Sequence, residues 1–357
     1  MIYLLLFAGL FMGWSLGTND AANAFGTAVA TRVIKYRTAV LIIAVLVVTG
    51  AFTGGEHNIG KVAELAISNK VTAAAEEVYE AIEAGEEERI RFHSALKAAI
   101  IFACAGLTVF FMSWLQFPVS ANQSITGAII GWGLFHANYA DPEVLAVNLP
   151  QIGKFAATWV LNPVGAGLIS FALVWTVNKS LRQKLNSLNG YDMFIKAGYL
   201  LSGAFASYSI GLNSSANVTA LYYDATFAQT GVAANLLTNA QLTATIGGIA
   251  IAVGVLTYSK KVMMTVGSNI ASISQLDGFL VIIGMALTVV IMGSWMGIPV
   301  STSQAVVGAV IGAGLVKGVD NIHFSILKRI ALAWVSSPTV AGLMTYLVAA
   351  ATQGYFA

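Results

Sequence analysis

Eight apolar stretches, each long enough to cross the roughly 30 Å hydrocarbon layer of a bilayer, recur along this chain of 357 residues. They fall near 1–34, 38–54, 94–115, 151–177, 196–222, 232–257, 277–296 and 323–351. Charged residues make up only 10% of the chain, where a soluble domain carries roughly 25%. Seven of the sixteen acids crowd into Glu76 to Glu88, so charge elsewhere is scarcer still. A soluble fold of this size could not cover its surface with so few charges. The pattern predicts an all-α polytopic protein of the cell membrane, with the lipid bilayer as its surroundings. With 18 basic residues, 16 acidic ones and no basic patch, the chain does not bind nucleic acid. One cysteine, Cys104, excludes a disulfide framework and a Cys-based metal site. Met1 to Leu16 resembles the apolar core of a signal peptide, but no Lys or Arg precedes it, so it is expected to remain as a membrane segment.

Two shorter stretches differ. Phe117 to Phe135 and Ile298 to Val316 open with Pro, continue with polar residues and then run apolar and Gly-rich. They read as re-entrant hairpins, which survive at membrane depth only inside protein or along a cavity.

The chain also repeats itself. Gly17-Thr18-Asn19-Asp20-Ala21-Ala22-Asn23 aligns with Gly211-Leu212-Asn213-Ser214-Ser215-Ala216-Asn217 at an offset of 194. Gly50 and Val62 align with Gly254 and Val266 at 204. Pro118-Val119-Ser120 aligns with Pro299-Val300-Ser301 at 181, and the register continues through Gln123/Gln304, Gly127/Gly308 and Gly131/Gly312. Trp159, Pro163 and Gly167 align with Trp334, Pro338 and Gly342 at 175. The fall from 204 to 181 marks an acidic insertion at 71–91, read as a surface helix or loop. The expected organisation is a first repeat over 1–177, a linker over 178–190 and a second repeat over 191–357. Lys179, Arg182 and Lys184 place the linker in the cytoplasm by the positive-inside rule. Neither terminus carries Lys or Arg; both ends outside require an odd number of crossings per half, hence two inverted repeats. Such architectures are most often secondary transporters, with the substrate at the midplane on broken helices.

Asp20 is the most informative residue. A charged carboxylate at the bilayer centre costs about 2.5–3.5 kcal/mol on insertion scales, and no Lys or Arg precedes Arg32 nearby. A bound cation is the cheaper partner, and the oxygens of Asn19 and Asn23 suit a hard ion such as Na⁺. The competing reading makes Asp20 a helix cap. In the second copy Asn213, Ser214 and Asn217 keep the oxygens but lose the charge. Ser120, Asn122, Gln123 and Ser124, with Ser301, Thr302, Ser303 and Gln304, form a second constellation. Pro followed by hydroxyls is a helix-start pattern, and free N–H groups at a helix start favour anions. Two such starts, one per half, would converge on one tetrahedral anion. Glu56 and His57 make a weak metal candidate; the Trp residues and Lys317 read as packing or interfacial markers.

These residues resemble the PiT family of inorganic phosphate transporters, or phosphate permeases. That family carries G-[AF]-N-D-x-A-N-A and P-V-S-[ST]-T-H in each half. Gly17 to Ala24 matches the first element well, Gly211 to Asn217 in part, and Pro118 to Ser124 and Pro299 to Gln304 match the other pair. The resemblance implies inverted repeats and cation-coupled uptake. It implies Na⁺ binding at Asp20, Asn19, Asn23, Asn213 and Asn217, and phosphate binding at Ser120, Ser301 and Thr302. Three departures stand out: Ser214 for an acid, Ala121-Asn122 for two hydroxyls, and Gln123 and Gln304 for His. The family includes sulfate permeases with similarly altered motifs. The expectation is therefore a Na⁺-coupled symporter of inorganic phosphate working by alternating access. Sulfate or another tetrahedral oxyanion, with H⁺ as driver, is the alternative, and an anion channel a second. No cofactor beyond the transported Na⁺ or H⁺ is expected, and a homodimer is left open. An enzyme is not: neither Ser120 nor Ser301 has a His or Lys base at a predictable depth.

Overall fold

A computed structural model describes residues 2–63, 87–139, 148–180, 188–223, 239–296 and 300–355. Most of the acidic insertion and of the linker falls outside them; residues 87–91 already belong to a helix. The described residues hold eleven helices of ten residues or more: α1 Ile2–Ala30, α2 Tyr36–Gly54, α3 Glu87–Trp114, α4 Ala121–Tyr139, α5 Leu149–Ser180, α6 Leu188–Ser214, α7 Ala240–Tyr258, α8 Lys260–Asn269, α9 Gln275–Val289, α10 Thr302–Leu315 and α11 Phe324–Ala351. Six helical stretches are long and apolar enough to cross a membrane, and all six lie where the apolar pattern put them. The protein is an all-α, multi-pass membrane protein. Strand structure among the described residues is limited to one isolated bridge, Ala271 with Ile322.

Helix ends follow local chemistry. Ser274 and Asp277 form a reciprocal capping box at the start of α9, and Asn239 caps α7. At the end of α3, Gln116 takes a left-handed φ of 65°. Phe117 N–H bonds to the Met112 carbonyl and Gln116 N–H to that of Ser113. This Schellman closure turns the chain into the extended residues that precede α4. α9 runs into a π-helical turn, Val290–Trp295, whose Gly293 lies against Asn213.

Packing recurs between the halves. A Cβ on Gly308 would strike the Pro163 carbonyl, and one on Gly127 would strike that of Pro338. Gly312 meets Gly167 as Gly131 meets Gly342. Likewise Gly17 lies against the Ile251 carbonyl and Gly211 against that of Val47. Every member of each pair is the offset partner of a member of the other. Trp14 donates to Thr257 at 2.8 Å, and at the matching positions Thr53 and Tyr208 are hydrogen-bonded at 2.8 Å. Each such contact joins one half to the other, so α4 packs on α11 and α10 on α5. Outside these seams Leu168, Leu332 and Val335 are well exposed, as a hydrocarbon-facing surface requires.

The two copies of the first motif differ in one respect. α1 runs unbroken through Asn19, Asp20 and Asn23, so Asp20 is no helix cap. α6 ends at Ser214 and a separate turn, Ala216–Thr219, follows.

Candidate functional site

All fourteen residues of the two constellations are buried, none more than 5% exposed. Asp20 is held from both halves. Ser214 Oγ donates to its Oδ2 at 3.1 Å, and Asn23 Nδ2 donates to its Oδ1 at 3.1 Å. The same Asn23 amide reaches Thr302 Oγ1 at 3.0 Å and Ser303 Oγ at 3.1 Å. Helix α1, the end of α6 and the start of α10 thus meet at one carboxylate. The described ion pairs, Lys196–Asp192 and Lys317–Asp277, do not include it.

Asn19 and Asn213 bond the backbone ahead of the two helix starts. Asn19 Oδ1 accepts from Val119 N–H at 3.2 Å, and its Nδ2 donates to the Phe117 carbonyl at 3.0 Å and to Ser113 at 2.9 Å. Asn213 Oδ1 accepts from Val300 N–H at 3.1 Å and Nδ2 donates to the Val300 carbonyl at 2.7 Å. Extended residues buried ahead of a helix have no ladder to satisfy their amides. In each half one Asn side chain supplies that partner. Ser303 Oγ adds a bond to Asn19 Oδ1 at 3.3 Å.

The helix starts are built alike. Ser120 Oγ accepts from Gln123 N–H and Ser301 Oγ from Gln304 N–H, both at 3.2 Å. Ser124 N–H reaches the Ser120 carbonyl and Ala305 N–H that of Ser301. The N–H groups of Ala121 and Asn122, and of Thr302 and Ser303, have no intrahelical acceptor in such a start. Around them sit buried polar atoms without a hydrogen-bond partner: both amide atoms of Asn122, Oε1 of Gln123 and Gln304, and Oδ1 of Asn23 and Asn217. Unsatisfied buried polar groups cost about 1–3 kcal/mol each, and a cluster of them marks a place for a polar ligand. Ser124 is instead bonded to the Ser120 carbonyl at 3.3 Å.

The constellation has members that sequence reasoning missed. Asn162 of α5 donates to the Ser301 carbonyl at 2.7 Å, and Trp334 Nε1 to that of Pro118 at 3.3 Å. Asp277, also fully buried, pairs with Lys317 at 2.6 Å. The lone-acid argument applied to Asp20 would have found it. Glu56 and His57 are exposed, and no group of three His, Cys, Asp or Glu fit for a metal occurs among the described residues.

A family model described as a phosphate transporter family matches residues 16–195 and again 184–345. The chain belongs to the phosphate transporter family. As a family member it is a membrane transporter rather than an enzyme. Its curated relatives include a candidate phosphate permease of Pyrococcus abyssi, 27% identical over 97% of this chain and 96% of that one. A sulfate permease of Bacillus subtilis, CysP, is 28% identical over 95% of this chain and 84% of that one. A solved structure titled as the sodium-dependent phosphate transporter shares the fold, with a TM-score of 0.76 at 24% identity and 98% of each chain covered.

Proposed function

We propose that this transporter takes up inorganic phosphate in symport with Na⁺, by alternating access between two oppositely oriented halves. The halves span 1–177 and 191–357, with 178–190 a cytoplasmic linker and the segments around Phe117 and Ile298 re-entrant. One observation carries the reading: the buried Asp20 carboxylate shares its hydrogen-bond network with the start of α10. A cation at Asp20, with oxygens from Asn23, Asn217 and Ser214, would lie beside an anion held by Ser120, Asn122, Gln123, Ser301, Thr302, Ser303 and Gln304. Each then raises the other's affinity by linkage. Asn19 and Asn213 serve this site by holding Val119 and Val300. Moving one charge against the membrane potential costs about 2.3 kcal/mol per 100 mV. A dianion entering a negative cell therefore needs at least two monovalent cations for neutrality.

Uptake of labelled phosphate and sulfate into proteoliposomes, under a Na⁺ or a pH gradient, tests the reading. Saturable, Na⁺-driven phosphate accumulation is expected, and Asp20→Asn should abolish its Na⁺ dependence. Sulfate uptake untouched by excess phosphate would overturn the choice of substrate. Sulfate with H⁺ coupling is the second reading, favoured by the sulfate permease relative and by Ser214 standing where a second acid would be.

A further inference from the structure

Asn162 is completely buried on α5, one residue before Pro163. Its amide is asymmetric in use: Nδ2 donates to the Ser301 carbonyl at 2.7 Å, while Oδ1, equally buried, has no partner. A carbonyl only accepts, so this bond decides which end of the amide faces α10. Oδ1 is therefore fixed as a lone-pair acceptor beside the residue that caps the helix. Asn122 is different, because neither of its amide atoms is engaged and it can turn to suit any ligand. The matching position in the other half is Ser337, whose hydroxyl points back to the Trp334 carbonyl at 3.5 Å. The fixed acceptor thus exists on one side only.

We infer that Asn162 is a specificity-determining residue, its locked Oδ1 accepting the hydrogen of a protonated tetrahedral oxyanion seated at the start of α10. Asn23 Oδ1, likewise left by a committed Nδ2, is assigned above to the cation, while the backbone N–H groups, the hydroxyls and the unengaged Asn122 amide can each present a donor. Such groups bind any oxyanion alike. A fixed acceptor does not: it gains a hydrogen bond from the O–H of monohydrogen phosphate and meets only repulsion from fully deprotonated sulfate. Sites with a committed polar partner discriminate far more strongly than those shaped by size alone. The inference rests on the oxyanion reading above and narrows it to anions that carry a proton near neutral pH.

The test uses Asn162→Leu in proteoliposomes, with half-saturating phosphate and the inhibition constants of arsenate and sulfate measured on wild type and variant. Arsenate is protonated like phosphate, so it separates the proton from the element. The sulfate-to-phosphate ratio of constants should fall at least tenfold, with arsenate weakening in step with phosphate. If all three anions weaken together, Asn162 only positions Ser301, and the inference fails; an unchanged ratio also sinks it. Should Asn162→Leu not reach the membrane, Asn162→Ser, which copies the matching residue of the other half, is read by the same ratio. Wild-type protein that takes up neither phosphate nor sulfate would overturn the transport reading itself, a result distinct from an unchanged ratio in an active carrier.

Discussion

Ser214 donates its hydroxyl to the Asp20 carboxylate at 3.1 Å across 194 residues of chain, and 194 is also the offset that aligns the two copies of the motif. Aligned positions of the two copies touch directly only where the copies meet. The acid therefore sits at the meeting line of the halves, where one side chain faces elements of both.

Placing a second acid there should change the ion dependence. Ser214→Asp sets two carboxylates within hydrogen-bonding distance, and like charges so close do not both ionise without a counter-ion. The added charge attracts cations, so the variant is expected to need less Na⁺ for half-maximal uptake, with a steeper Na⁺ dependence. Uptake measured against Na⁺ concentration checks this; an unchanged curve would place Ser214 outside the ion site.

The Asn residues that hold extended backbone make an opposite prediction. Asn213→Ala leaves the buried Val300 N–H and carbonyl unpaired, at about 1–3 kcal/mol. Anion affinity should fall about tenfold while the steepness of the Na⁺ dependence stays as in wild type. Asn19→Ala should behave the same way through Val119. A lost Na⁺ dependence would return both residues to the ion site.

Gly308→Ala puts a methyl group into the Pro163 backbone, and Gly127→Ala does so at Pro338. Overpacking of this kind costs about 1–3 kcal/mol, so thermal unfolding in detergent should shift down for both. Gly153→Ala, with open space around it, is the control and should not fall.

Asp277 is buried at the start of α9 and its side chain is 1% exposed, whereas the Lys317 partner side chain is 29% exposed. Lys317→Met leaves an uncompensated buried charge, costing about 3 kcal/mol. Asp277→Leu combined with Lys317→Met should recover most of that stability. A melting series of single and double variants measures the coupling; strict additivity would show that the pair contributes nothing.

Much of the molecule was legible before any coordinates. The apolar stretches gave the helices because a bilayer allows few alternatives for a backbone that must satisfy itself. Asp20 declared itself through its cost in that setting. The same argument covers Asp277, and Lys317 reads as an interfacial marker because its partner lies 40 positions back, at the start of α9. Asn162 gave no signal, since one Asn beside a Pro is unexceptional locally, and Trp334, though its repeat partner is Trp159, reads only as a packing or interfacial residue.

Sequence alone therefore determined the helical membrane fold, the internal repeat and the set of polar residues that prove to be buried, because composition, periodicity and motif spacing act along the chain. Tertiary structure alone decided what each of those side chains does. Asn19 and Asn213 share a motif with Asp20 yet grip backbone, because the extended residues before α4 and α10 lack partners of their own. Asn162 joins the site only because α5 packs against α10, and Ser214 meets Asp20 only because the halves close on each other. Hydrogen bonds are directional and short, so these assignments depend on where separate helices come to rest.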